Sequence, residues 1–480
     1  MSLKNNTLSG FIWTGLGTIG NGLTTILVTV VLARLLTPND FATVELLAIF
    51  IAVSNIFIES GFSQAIIRDD SPTQNGLSTV FFFNLFVSVL FYIVLYIAAP
   101  YIASFFSTPE LVSISRVAFL VIIFNSLTII QNSLLSRELK FKELSMATVF
   151  GMILAGITAV VMAFLGCGIW AIVANLVLTP LFRSVILWIK STWRPTLVFE
   201  LASLKRYFNF GGFLLLQGIM DAITNNIISL FIGKLYTKND LGYFSQGRKL
   251  DFYIIAPLSS VLEKVTYPIF SQIKNENERM RSGIREITGI TIFVLLPLTL
   301  FFCIYGREFT IFLYGEKWLP SAIYLQMMML TAIFLPLQRI YMNVIMAKGK
   351  TKQMFYFAII KQSTRMIVLI ALVVMKVNVF WLAVGFAFTG ALGSILYIAL
   401  GMHIIKYSLT SLIKDSLKTI VAVAFSILAG KILTDYMALS PFVTLIVGFL
   451  IAASVYITIS ICIDNQWLSS SVKLVYNKKK

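Results

Sequence analysis

The chain has 480 residues, is 58% hydrophobic, carries charge on only 12% of its positions and has a net charge of +17. A soluble domain holds about twice that share of charged residues, so no sizeable water-soluble domain fits. The positive charge comes without a basic run interleaved with aromatics, which argues against a nucleic-acid partner. Three scattered cysteines (Cys167, Cys303, Cys462), no CxxC and a single histidine, His403, argue against a disulfide scaffold, a metal site or a His-based triad.

Apolar runs longer than about 18 residues recur from end to end, which places nearly the whole chain in a bilayer. They are long and continuous, so they read as helices rather than barrel strands. About fourteen spans of roughly 20 residues are predicted, near 10–33, 41–66, 76–98, 111–135, 144–166, 168–189, 208–232, 241–262, 287–306, 321–346, 355–375, 380–402, 418–435 and 442–463. The expected fold is an all-α integral membrane protein. Two six-helix lobes in parallel pseudo-repeat, plus two C-terminal helices, would surround a central cleft. The expected division is 1–190 for the N-terminal lobe, 191–207 for a cytoplasmic connector, 208–403 for the C-terminal lobe, and 404–480 for two added helices and a basic tail.

The first span is too long for a signal-peptide core and is expected to be retained. It carries Thr14, Thr18, Asn21 and Thr25 at helical spacing, on one face. It ends in Ala33–Asp40, ARLLTPND. This stretch returns 200 positions later as Gly233–Asp240, GKLYTKND, with Leu35, Thr37, Asn39 and Asp40 matched by Leu235, Thr237, Asn239 and Asp240. Restarting halves are the signature of an internal repeat. Within the second span, Glu45 and Glu59 are candidate counter-charges. Arg116 lies in the outer part of the fourth span, and Arg183 near the inner end of the sixth reads as an interface anchor.

Lys190–Tyr207 reads as the connector between lobes, partly an amphipathic helix lying on the membrane. The seventh span then repeats the polar stripe of the first, with Gln217, Asp221, Thr224 and Asn225. Facing stripes would line a water-filled cleft; for Thr and Asn, interhelical hydrogen bonding explains them as well. Asp221 favours the cleft, because a buried carboxylate needs a partner or water. In the eighth span Arg248, Lys249 and Asp251 crowd together. Either Lys249 snorkels outward while Arg248 pairs with Asp251, or the group forms a cationic patch suited to phosphate. Arg339 sits deep in the tenth span, and Lys361 and Arg365 are one turn apart in the eleventh. Lys431 and Asp435 are expected to shorten the thirteenth. Embedded cations outnumber embedded acids, which favours an anionic cargo. With the N-terminus cytoplasmic, the inner loops hold about 24 cations against about 7 outside. That orientation puts both termini inside.

ARLLTPNDFA, ESGFSQAIIR at Glu59–Arg68, LGYFSQGRKL at Leu241–Leu250, YPIFSQI at Tyr267–Ile273 and LYGEKWLPSA at Leu313–Ala322 occur in this order. In this the chain resembles the polysaccharide transporter family (colanic and teichuronic acid exporter type) of the multidrug/oligosaccharidyl-lipid/polysaccharide exporter superfamily. The resemblance implies a flippase, not an enzyme. It would move undecaprenyl-diphosphate-linked oligosaccharide, the repeat unit of a surface polysaccharide, across the bacterial cytoplasmic membrane by alternating access. In that family the cleft is cationic, which matches the reading, reached from membrane cost, of a cationic cleft formed from Arg248, Lys249, Arg339, Lys361, Arg365 and Arg116. Asn21, Thr25, Glu59, Gln217, Asp221, Asn225 and Asp251 would be its polar or ion-coupling groups. No cofactor is expected beyond Na⁺ or H⁺ as coupling ion, with Asp221 and Glu59 the candidate carriers. A polysaccharide polymerase and glycosyltransferases are possible partner enzymes. The competing readings are a drug or cation antiporter, which needs an acid-dominated cleft, a lipid II flippase, and a membrane polymerase, which needs a long outer loop. The longest outer loop here is only Gly306–Pro320.

Overall fold

The computed structural model describes residues 3–59, 62–69, 71–437 and 439–469, and these contain helices and no strand. The basic tail Lys478–Lys480 lies outside the described residues. Two compact units are present, Met1–Ser245 and Gln246–Lys480.

The first unit holds α1 (Leu3–Leu35), α2 (Pro38–Glu45), α3 (Ala48–Glu59), α4 (Phe62–Arg68), α5 (Gln74–Phe105), α6 (Leu111–Ala118), α7 (Leu120–Ser126), α8 (Ile129–Arg137), α9 (Phe141–Phe164), α10 (Ile169–Lys190) and α11 (Leu201–Leu235). Helix α12 (Lys238–Gln272) begins there and continues into the second unit. The second unit adds α13 (Asn277–Ile304), α14 (Gly306–Tyr314), α15 (Ser321–Ala332), α16 (Phe334–Ala347), α17 (Thr351–Val374), α18 (Val379–Ile405), α19 (Leu409–Met437) and α20 (Pro441–Cys462).

Among the described residues, 12 helices are long and apolar enough to cross a membrane. The protein is therefore a multi-pass membrane protein. Two of the fourteen expected spans, 208–232 and 241–262, are helical within α11 and α12 but are not among those 12. The opening helix of the second repeat, α11, packs on α3, α4 and α5 and so belongs to the first unit.

The repeated Thr-x-Asn-Asp motif has a local cause. Thr37 donates from its N–H and hydroxyl to Asp40 Oδ2 at 2.8 and 2.7 Å, and the Asp40 N–H donates to Thr37 Oγ1 at 3.3 Å. Thr237 and Asp240 make the same three bonds at 3.2, 2.6 and 3.2 Å. Each copy is a capping box: it ends one helix and starts the next by satisfying orphan N–H groups. Gly242, two residues after the second box, lies against Pro38 of the first. A Cβ there would stand 2.2 Å from the Pro38 carbonyl oxygen, so the close approach requires glycine.

The connector is helical only in part. Residues 191–200 are not helical, and the helix starts only at Leu201. Arg194 explains the stop: its guanidinium donates to the carbonyls of Trp188, Ser191 and Trp193 at 2.7–2.8 Å, capping the end of α10. Thr196 and Glu200 then donate backbone N–H groups to Ser78 and Thr79 at 3.0 and 2.9 Å, fastening the connector to the start of α5. Buried Asp69 accepts from Tyr207 Oη at 2.7 Å and from Arg206 at 2.9 Å. Lys431 and Asp435 do not shorten their helix, since α19 runs to Met437. Lys431 pairs with Glu308 at 2.8 Å and with Asp435 at 2.9 Å, which offsets the cost of the charges.

Candidate functional site

In the second unit α12, α16, α17 and α18 bring distant polar residues together. Helices α16 and α17 both pack on α18. Phe386 of α18 is the centre. The Arg365 guanidinium carbon lies 4.6 Å from its ring centroid, and that of Arg248 lies 5.9 Å from it. Two cations 117 positions apart in sequence thus share one aromatic ring. The negative face of the ring attracts the guanidinium of Arg365, which is only 6% exposed.

Lys361, one turn before Arg365, donates to Gln338 Oε1 at 3.1 Å, and Ser394 Oγ donates to the same oxygen at 2.7 Å. The ammonium is 5.9 Å from the Tyr397 ring centroid. Glycines on α18 leave room for both cationic stems. A Cβ at Gly393 would fall 2.4 Å from Lys361 Cγ, and one at Gly390 would fall 2.9 Å from an Arg365 terminal nitrogen. Small residues at a membrane helix interface permit such close packing.

Of the predicted cations, Arg248, Lys361 and Arg365 therefore form one neighbourhood with Phe386, Gln338, Ser394 and Tyr397. Lys249 is half-buried beside Arg248 on α12. Asp251, one turn beyond Arg248, attracts it, and its Oδ1 has no hydrogen-bond partner among the described residues. Arg339 is next to Gln338 in sequence but its guanidinium pairs with Glu263 of α12 at 3.3 Å. The counter-charge of Arg339 is thus Glu263, whereas Glu59 is the electrostatic partner of Arg183. Asn343 fixes the same turn of α12, donating to the Glu263 carbonyl and to Thr266 Oγ1, both at 2.7 Å.

The remaining candidates lie in the first unit. Arg116 stacks over Tyr96, 4.3 Å from its centroid. Thr25 donates to the Asn21 carbonyl at 2.8 Å and to Met152 Sδ at 3.0 Å, an interhelical tie to α9, while Asn21 Oδ1 has no partner among the described residues. On α11 Asp221 is half-buried and Asn225 exposed; the side chain of Gln217 lies outside the described residues. Glu59 is exposed at the end of α3, and Glu45 is buried, accepting from Ser229 of α11 at 3.3 Å.

Sequence reasoning missed Phe386, Gln338, Ser394 and Tyr397. The available signal was Gly390-Ala-Leu-Gly393-Ser394, a run of small residues in a span, which marks a tight helix interface.

A cationic, aromatic-backed site in a helical membrane bundle suits an anion carried through the membrane. The family model described as "Polysaccharide biosynthesis protein" matches residues 31–323, more than half of the chain. The chain belongs to this polysaccharide biosynthesis family. The teichuronic acid biosynthesis protein TuaB of Bacillus subtilis (strain 168) is 25% identical to it over 358 residues, 74% of each chain. The lipopolysaccharide biosynthesis protein WzxC of Escherichia coli (strain K12) is 22% identical over 373 residues, 75% of this chain and 74% of the relative. Among solved structures, lipid II flippase MurJ in its inward closed conformation matches with a TM-score of 0.74 at 16% identity, over 95% of this chain and 100% of that one. At that identity the likeness shows the fold.

Proposed function

We propose that this member of the polysaccharide biosynthesis family is a flippase. Its cargo is a polyprenyl-diphosphate-linked oligosaccharide, carried across the bacterial cytoplasmic membrane by alternating access. The observation that carries the reading is the pair Arg248 and Arg365 on Phe386, with Lys361 one turn away. Charge-assisted bonds from guanidinium groups match a diphosphate in charge and geometry. The likeness to TuaB, a teichuronic acid biosynthesis protein, and WzxC, a lipopolysaccharide biosynthesis protein, supports this cargo class. A drug or cation antiporter would need the opposite charge balance. Both termini are proposed to face the cytoplasm, where the basic loops collect. A proton or sodium gradient is the proposed driving force, with Asp221 as carrier. A polymerase and glycosyltransferases would work on either side of the step.

The test is the leaflet location of the lipid-linked repeat unit in cells lacking the gene. Accumulation on the cytoplasmic side, reversed by the wild-type gene and not by Arg365→Ala, supports the reading. Normal appearance of the unit in the outer leaflet would reject it.

A further inference from the structure

We propose that a second polar surface, in the first unit, binds the sugar part of the cargo; this rests on the flippase reading. Asn55 and Glu59 lie one turn apart on α3, Asn125 on α7, Asn132 on α8 and Arg183 on α10. Asn125 Nδ2 donates to Asn55 Oδ1 at 3.1 Å, and Arg183 donates to Asn132 Oδ1 at 2.9 Å. Glu59 is the electrostatic partner of Arg183. Ser133 continues the stripe, donating to Ser63 at 2.8 Å.

These residues stand inside apolar spans, at 38–67, 111–137 and 169–190. Yet Asn55, Asn125, Asn132 and Arg183 are only half-buried and Glu59 is exposed. Polar groups open to lipid carry a heavy cost, so this face borders water or ligand. The lipid side of α10 lies elsewhere: Val185 and Ile189, both exposed, are turned from Arg183 by about 200 and 240 degrees around the helix. The hydrogen bonds within the stripe do not exhaust it. Among the described residues, Asn55 Nδ2, Asn125 Oδ1 and the buried Nε of Arg183 have no hydrogen-bond partner.

The chemistry differs from that of the Phe386 site. Glu59 offsets Arg183, so the stripe is near neutral and is no trap for a diphosphate. A carboxamide presents a donor and an acceptor in one plane, and a guanidinium and a carboxylate do the same with charge assistance. That set matches the neighbouring hydroxyls of a pyranose. A site built to bond hydroxyls also rejects ligands lacking them, because its polar groups are then left unmet. The stripe thus supplies the specificity that cations alone cannot.

The experiment uses the purified full chain in lipid nanodiscs with two probes. One is undecaprenyl diphosphate. The other is the lipid-linked oligosaccharide extracted from cells lacking this gene. Asn125→Ala should weaken binding of the sugar-bearing probe about fivefold per hydrogen bond lost and leave undecaprenyl diphosphate unchanged within about twofold. Asn55→Ser, a smaller change that leaves a hydroxyl in place of the carboxamide, serves if Asn125→Ala does not fold. Arg365→Ala should weaken both probes alike. Equal weakening of both probes by the asparagine variants, or no effect on either, would overturn the sugar-binding role while leaving the flippase intact. Wild-type protein that binds neither probe would overturn the flippase reading itself.

Discussion

Replacing Phe386 by leucine removes the ring on which Arg248 and Arg365 both rest. Arg365 is 4.6 Å from the ring centroid and 6% exposed, so its contact is desolvated. Such a contact is worth about 2 kcal/mol. Arg248 is 5.9 Å away and half-buried, at the edge of the range; about 0.5 kcal/mol is appropriate there. The sum of about 2.5 kcal/mol corresponds to about 60-fold in affinity, at about 1.4 kcal/mol per decade. This is a ceiling, since part of the lost energy falls on folding rather than on ligand binding. We expect F386L to weaken undecaprenyl diphosphate binding by about 5- to 60-fold. Leucine keeps the site apolar, and the folding cost of such a swap should stay near about 1.5 kcal/mol. F386W, with the stronger cation-binding face, should retain affinity. The assay is titration of nanodisc-embedded protein at two salt concentrations, with thermal unfolding as the control for folding. If F386L binds within twofold of wild type while unfolding normally, the shared ring does not organise the site.

Gly393→Ala should displace Lys361, because the new methyl would fall 2.4 Å from Lys361 Cγ. Losing the bond to Gln338 should cost about fivefold in diphosphate binding, read in the same titration. Thr237→Ala removes one partner of the second capping box and should lower stability by about 1 kcal/mol, as should Thr37→Ala; thermal unfolding of the two variants against wild type tests both. Asp69 lies outside the spans. Burial pushes its carboxyl up, but the bonds from Tyr207 and Ser71 and the charges of Arg206 and Arg137 outweigh this and hold it below the usual carboxylate range. Its stabilising contribution is therefore full above about pH 4, the unfolded-state value, and is lost as the pH falls through the folded-state value. Asp69→Asn should be less stable than wild type at neutral pH, with the gap closing on acidification. A gap that does not narrow at all as the pH is lowered from about 4 would contradict this assignment.

Part of the site was legible from one dimension. The cost of a cation in lipid singled out Arg248, Lys361 and Arg365, because that cost depends on the residue and its depth and not on its neighbours. Charge partners were not legible. Arg339 also sits deep in its span, yet it faces Glu263 of α12, which no pattern in the sequence singled out. Arg183 read as an interface anchor and instead holds Asn132. Lys431 read as a span breaker and instead closes an ion pair with Glu308. In each case the outcome depends on which helix face is opposite, and no local pattern encodes that.

By itself the sequence determined those features that arise from short-range interactions. Long apolar runs place the chain in a membrane. The Thr-x-Asn-Asp copies end and restart helices through bonds spanning three residues, so the repeat could be read directly. The excess of embedded Arg and Lys over embedded acids is what suggested the anionic cargo proposed here. Only the tertiary structure decided that Phe386 joins Arg248 to Arg365, that α11 packs with the first unit, and that Gly390 and Gly393 admit the cationic stems. The physical reason is that helix packing in a membrane is set by shape and by polar contacts between faces. Those contacts join residues a hundred or more positions apart, beyond the reach of any periodicity.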